Sequence, residues 1–84
     1  MNWTVEWTPD ADDALTMAWV GASNRRAITK SADDIERKLA RDPYLNSIFI
    51  SEGLYCLDVP PLRVLIEIDD ATRIVQIVDV RLIP

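Results

Sequence analysis

The sequence predicts an α+β fold in which a two-helix antiparallel hairpin packs on one face of a mainly antiparallel sheet. Three patterns indicate it: polar–apolar alternation near the amino terminus, helical spacing of apolar residues through the first half, and strand patterns from position 48 onward. Since 84 residues support one modest core, we expect a single domain spanning 1–84.

An amino-terminal strand followed by a helix is predicted by residues 2–22. Alternation places Trp3, Val5 and Trp7 on one face of the strand. Thr8 is expected to cap the helix that follows, and Gly21 to end it. We also expect all three tryptophans to be core residues. The helix carries an apolar stripe formed by Ala11, Ala14, Leu15, Ala18, Trp19 and Ala22.

A second, longer helix is predicted by the segment "SNRRAITKSADDIERKLARDP". Ser23 or Asn24 can cap its start, and its end is expected at Asp42, because a residue that precedes proline is disfavoured in a helix. The link to the first helix is very short, which predicts the hairpin. The apolar positions of this helix are Ile28, Ala32, Ile35 and Leu39.

Three or four strands are predicted after the helices. "IFI" indicates a short strand, and Gly53 a bend after it. "LYCLDV", "LRVLIEI" and "RIVQIVDVRLI" follow, with "PP" and "DDAT" between them. The predicted order is therefore β-α-α-β-β-β, with one further short strand as the alternative.

Composition narrows the functional classes. The net charge of −5 argues against broad nonspecific nucleic-acid binding, which depends on lysine and arginine. The chain has no histidine, no CxxC pair and no glycine-rich phosphate loop, so no cofactor and no metal is predicted. A membrane span is not expected, and the lone Cys56 with no visible export signal favours the cytoplasm.

Three stretches, "VEWTPDADDAL", "ADDIERKLARDP" and "VPPLRVLIEIDDATRIVQIVDV", resemble in order and spacing the RelE/ParE superfamily, the toxins of type II toxin–antitoxin systems. The resemblance implies an antitoxin partner that wraps over the toxin. It also implies two alternative activities, since RelE-like members cut messenger RNA on the ribosome and ParE-like members inhibit DNA gyrase.

The resemblance to RelE-like enzymes implies a catalytic cluster of lysine and arginine on the sheet, with a tyrosine near the carboxyl end. Arg63 matches the strand arginine of that cluster, and Arg81 is a looser match to the cation after the last strand. Glu67 is a candidate base on the face of Arg63. The sequence departs from the pattern because no lysine follows Lys38 and no tyrosine follows Tyr55.

Two turns decide the surroundings of Arg63. A two-residue turn at Pro60–Pro61 would place Asp58 opposite Arg63. A three-residue loop at 70–72 would place Asp79 of the last strand opposite Arg63. A loop one residue longer would put a different residue in that position. With both carboxylates present, Arg63 would belong to a structural ion-pair cluster. Glu67 is likewise expected to pair with Arg73.

A protein-binding surface is predicted because the strand "LRVLIEI" places apolar side chains on both faces of the sheet. Leu65 lies on the second face, and the neighbouring strand is expected to add Val75 and Ile77 there, with Arg73 close by. A helical hairpin covers only one side of a sheet, so an antitoxin segment or a second copy should cover the other.

The favoured interpretation is a toxin-family protein that acts by protein binding and is neutralised by its antitoxin. The alternatives are a ribosome-dependent mRNA endoribonuclease and a gyrase inhibitor.

Overall fold

The computed structural model describes residues 2–83, which form two helices and a five-stranded sheet. The predicted order is confirmed, with four strands after the helices. The elements are β1 (Thr4–Trp7), α1 (Pro9–Gly21), α2 (Arg25–Arg41), β2 (Ile48–Ser51), β3 (Leu54–Val59), β4 (Leu62–Asp69) and β5 (Ile74–Leu82).

The sheet has the strand order β1-β5-β4-β3-β2, so β1 and β2 form its two edges. β1 pairs in parallel with β5, and the other three pairs are antiparallel, which confirms the predicted mainly antiparallel sheet. Each antiparallel pair joins strands that are consecutive in sequence, as short connections favour.

Side-chain caps set the starts of both helices. The Thr8 hydroxyl accepts a hydrogen bond from the Ala11 amide at 3.2 Å and donates one to the Ile77 carbonyl at 3.1 Å, which ties the start of α1 to β5. Asn24 caps α2 by accepting from the Ala27 amide at 3.1 Å. The predicted ends at Gly21 and Asp42 are confirmed.

The core lies between the helices and one face of the sheet, here called the core face. Both helices and the strands β3, β4 and β5 contribute apolar side chains to it, and the buried set is Ala11, Ile28, Ile35, Leu39, Leu57, Leu62, Val64, Ile66, Val75, Ile77 and Val80. The buried Ser31 hydroxyl donates to the Val59 carbonyl and fastens α2 to β3. Among residues 2–83 neither helix lies on the opposite sheet face, which is called the open face.

The β3–β4 hairpin has the predicted register. Pro60 and Pro61 form its two-residue turn, with a cis peptide bond between them. Val59 pairs with Leu62, and Asp58 pairs with Arg63. The prediction that Asp58 lies opposite Arg63 is therefore confirmed.

The β4–β5 hairpin corrects the predicted register. Its loop is one residue longer than the predicted one, because Arg73 has a φ of 58° and ends the loop instead of starting the strand. Asp69 therefore pairs with Ile74. Since side chains alternate between faces, this one-residue change turns β5 over. Val75 and Ile77 lie fully buried on the core face, and the prediction that they share the open face with Leu65 is wrong.

A bulge in β5 makes a second correction. The register shifts between the pairs formed by Leu65 and Ile66, so that Leu65 pairs with Asp79 and Arg63 pairs with Arg81. The prediction that Asp79 lies opposite Arg63 is also wrong. A bulge inserts one extra residue and so changes the sheet face on which the following side chains lie. As a result, Val80 lies buried on the core face.

Within residues 2–83, neither helix has the length and apolar content needed to cross a bilayer.

Candidate functional site

The open face brings Arg63 and Arg81 together. They are register partners on neighbouring antiparallel strands, and both side chains are substantially exposed. Both were predicted as candidate catalytic residues from their sequence positions. Two guanidinium groups on adjacent strands can bind one phosphate if both are free. The carboxylates that pair with each arginine therefore decide what the site can do.

Arg63 is held by Asp58 through two parallel hydrogen bonds. Its Nε donates to Oδ1 of Asp58 at 2.7 Å, and one terminal nitrogen donates to Oδ2 at 2.9 Å. This planar fork lowers the pKa of the Asp58 carboxyl and raises the pKa of Arg63, in each case chiefly through the hydrogen bond between them. Both groups are therefore charged, and their charges offset each other.

Arg81 is paired with a carboxylate on its own strand. Its Nε donates to Oδ2 of Asp79 at 3.1 Å, and Oδ1 of Asp79 accepts from the Val80 amide at 2.9 Å. The site thus consists of two cations and two anions in neighbouring ion pairs. The expectation that Arg63 belongs to a structural ion-pair cluster agrees with this geometry, although Asp79 reaches the cluster through Arg81.

Glu67 does not join the two arginines. It lies on the same strand face as Arg63 but four residues away, about 13 Å along a strand. It lines a cavity of about 620 Å³ together with Glu6, Glu52 and Asp69. The expected pairing of Glu67 with Arg73 is not what the structure shows, because the Arg73 guanidinium lies over the Trp3 ring, 4.8 Å from its centroid.

Cys56 lies on the open face beside the ion pairs. Its Sγ is 3.7 Å from Oδ1 of Asp58, and its backbone is paired with Leu65 on β4. Desolvation, followed by the negative charge of Asp58, raises the pKa of the thiol. A thiol with a raised pKa is a weak nucleophile, so nothing in this environment activates Cys56.

The predicted partner-binding residues are divided between three places. Leu65 is partly buried on the open face, where it was predicted. Arg73 is exposed in the β4–β5 loop. Val75 and Ile77 are inaccessible beneath the helices, because the loop is longer than the predicted one. The apolar part of the open face is therefore smaller than the sequence predicted.

An aromatic cluster near β2 was not predicted from the sequence. Tyr44 packs edge-on against both Trp3 and Tyr55, with ring centroids 6.0 and 5.4 Å apart. Its hydroxyl contacts both carboxylate oxygens of Asp70, at 2.9 and 2.8 Å. Desolvation and this bond raise the pKa of Tyr44 to about 12. Phe49 extends the cluster, 5.6 Å from Tyr55.

A groove between α1 and α2 exposes an aromatic residue that was predicted to be core. Trp19 is 41% exposed, because it lies at the outer margin of the apolar stripe of α1. It lines a cavity of about 430 Å³ with Trp7, Leu15 and Ile28.

Within residues 2–83 no group of three or more potential metal ligands is close enough together to hold an ion.

Comparison with solved structures identifies the fold. A chain of the toxin–antitoxin complex RelBE2 from Mycobacterium tuberculosis matches with a TM-score of 0.80 and 22% identity, over 98% of this chain and 99% of that one. A chain of the chromosomal ParDE system from P. aeruginosa matches with a TM-score of 0.65 and 14% identity, over 98% and 97%. The free E. coli toxin RelE, in a mutant form, matches with a TM-score of 0.66 and 13% identity, over 95% and 82%.

The chain therefore has the fold of the RelE/ParE toxins, and the predicted resemblance is confirmed at the level of the fold. No protein-family profile matches the sequence, and no curated protein matches it.

Proposed function

We propose that this chain is the toxin-family component of a type II toxin–antitoxin system, that it acts by binding another protein in the cytoplasm, and that an antitoxin neutralises it. The support is the fold shared over almost the whole length with a chain of a toxin–antitoxin complex. Residues 1–84 would act as one domain in this role.

The neutralised arginine pairs favour protein binding over RNA cleavage. A phosphate that approached Arg63 would have to displace both oxygens of Asp58, which hold the guanidinium at 2.7 and 2.9 Å. Asp79 adds a second negative charge beside Arg81. Cleavage also needs a proton shuttle, and Glu67, the candidate base, lies four residues from Arg63, about 13 Å along the strand. Both guanidinium charges are already offset by a carboxylate, which disfavours a phosphate site.

One observation keeps a ribosome-dependent endoribonuclease as the second candidate. Arg63 and Arg81 face each other across β4 and β5, which is the spacing that would let both contact one phosphate if their carboxylates turned away. Both side chains are exposed enough for such a rearrangement.

Induction of the chain alone in bacteria tests the proposal, with growth, transcript integrity and DNA damage followed together. We expect growth arrest with intact transcripts, relieved by co-expression of an antitoxin encoded next to the gene. The arrest should persist in a double Arg63→Ala, Arg81→Ala variant. Arg26→Ala, which changes an exposed cation on α2, is the matched control.

Other outcomes would replace the proposal. Transcript loss that disappears in Arg63→Ala would establish the endoribonuclease. DNA damage with intact transcripts would point to gyrase as the target. Normal growth at high expression would contradict toxicity altogether.

A further inference from the structure

The outer edge of β2 is an apolar strand without a neighbour. Ile48, Phe49 and Ile50 are 66%, 62% and 48% exposed, and together they cover both faces of the strand. Within residues 2–83, the backbone hydrogen bonds of β2 join it to β3 alone. Sheet edges are normally protected by charges, prolines, bulges or covering segments, because unpaired amides and carbonyls recruit further strands. This edge carries no charge and no proline along its four residues, and a register shift between Phe49 and Ser51 is the irregularity in its pairing.

Charge distinguishes β2 from the other edge of the sheet. Residues 43–51 contain no charged side chain, although the chain as a whole has a net charge of −5. The edge strand β1 instead carries Glu6 within its four residues, and the Trp3 amide next to it is bonded to the Ala40 carbonyl of α2. A second acidic molecule can therefore approach at β2 with less repulsion than at β1.

We propose that a second copy of this chain pairs with β2 in antiparallel orientation across a two-fold axis, which joins the two five-stranded sheets into one. Such pairing places Phe49 opposite either Phe49 or Ile50 of the second copy, so apolar side chains meet in both registers. The strand is complementary to itself because its exposed side chains are apolar or carry only hydroxyl and amide groups.

The positions of the flanking carboxylates are consistent with self-pairing. Glu52 would lie opposite position 46 or 47 of the second copy, so the two Glu52 carboxylates stay about 17 to 20 Å apart along the strands. That exceeds the screening length of about 8 Å at physiological salt. The same operation on β1 would bring the two copies of Glu6 within about 8 Å, where like charges repel.

Two further features favour the pairing. Phe49 already packs edge-on against Tyr55, with ring centroids 5.6 Å apart, so part of its side-chain freedom is lost before pairing. Leu45, which is 70% exposed just before the strand, would extend the apolar surface beyond the paired backbones. Because the pairing concerns the chain alone, it holds or fails independently of any antitoxin.

Solution mass tests the pairing directly. Light scattering and sedimentation of the purified chain over a range of concentrations should give twice the single-chain mass of 9.5 kDa. Ile48→Lys places a charge on the edge without removing a core contact, and it should return the mass to that of one chain. Met17→Lys changes an equally exposed apolar residue on α1 and should leave the dimer intact.

Hydrogen exchange on the unaltered protein provides a second measurement if a lysine variant fails to fold. Outward-facing amides of residues 48–51 should exchange slowly at high concentration and quickly on dilution. A chain that stays monomeric at all concentrations would overturn the proposal, and so would a dimer that Ile48→Lys does not weaken. Protection that arises only when an antitoxin is added would assign the edge to the antitoxin instead.

Discussion

Replacement of Ile77 by alanine tests the strand register on which the site depends. Ile77 is fully buried on the core face, opposite Ile66. The substitution removes three carbon groups worth about 0.8 kcal/mol each on burial, or about 2.4 kcal/mol together. The cavity left behind adds to this, so we expect a loss of about 3 to 4 kcal/mol in the free energy of unfolding. Urea denaturation followed by tryptophan fluorescence measures it.

Leu65→Ala is the matched control for Ile77→Ala, because it removes the same number of carbon groups from the open face. Leu65 is only partly buried there and no closed cavity would form, so we expect a loss of about 1 to 2 kcal/mol. In the register predicted from a three-residue loop, Ile77 would face solvent opposite Leu65. A smaller loss for Ile77→Ala than for Leu65→Ala would therefore refute the observed register.

Three further outcomes follow from the contacts of single side chains. Thr8→Ala should cost about 1 kcal/mol of unfolding free energy, seen as a lower midpoint of thermal denaturation by circular dichroism, since it removes the cap of α1. Absorbance titration should show a transition near pH 12 from Tyr44, and Tyr44→Phe should abolish it; the absence of that transition would contradict the bond to Asp70. Because the pKa of Asp58 is lowered in the folded state, its pair with Arg63 stabilises the fold above about pH 4 and loses that effect as pH falls through the folded-state value. Asp58→Asn should therefore flatten the acid limb of a stability-against-pH curve, and an unchanged limb would argue that the pair contributes nothing.

The local elements of this fold could be predicted from short-range chemistry. The alternation of Trp3, Val5 and Trp7 identified β1, and the capping residues Thr8 and Asn24 marked the helix starts within one or two residues. The pair of Asp58 with Arg63 was also predictable, because the turn that joins their strands is two residues long and leaves little freedom of register.

The open face could be predicted only in part. Whether Val75 and Ile77 were core or surface depended on a single loop residue, Arg73, and its positive φ is not a common conformation for arginine. The ring of Trp3 lies against the Arg73 guanidinium in the folded chain, and Trp3 is far from Arg73 in sequence. No local pattern could reveal that contact.

By itself, the sequence determined the order and type of the elements, the helix limits, and the turn that places an acid beside Arg63. These follow from interactions between residues close together in the chain. Tertiary structure decided which face of β5 is buried, that Arg81 lies opposite Arg63, and that β2 is an edge strand with exposed apolar side chains. These depend on loop conformation, a bulge and contacts between distant segments, and their energies exist only once the sheet and helices have packed together.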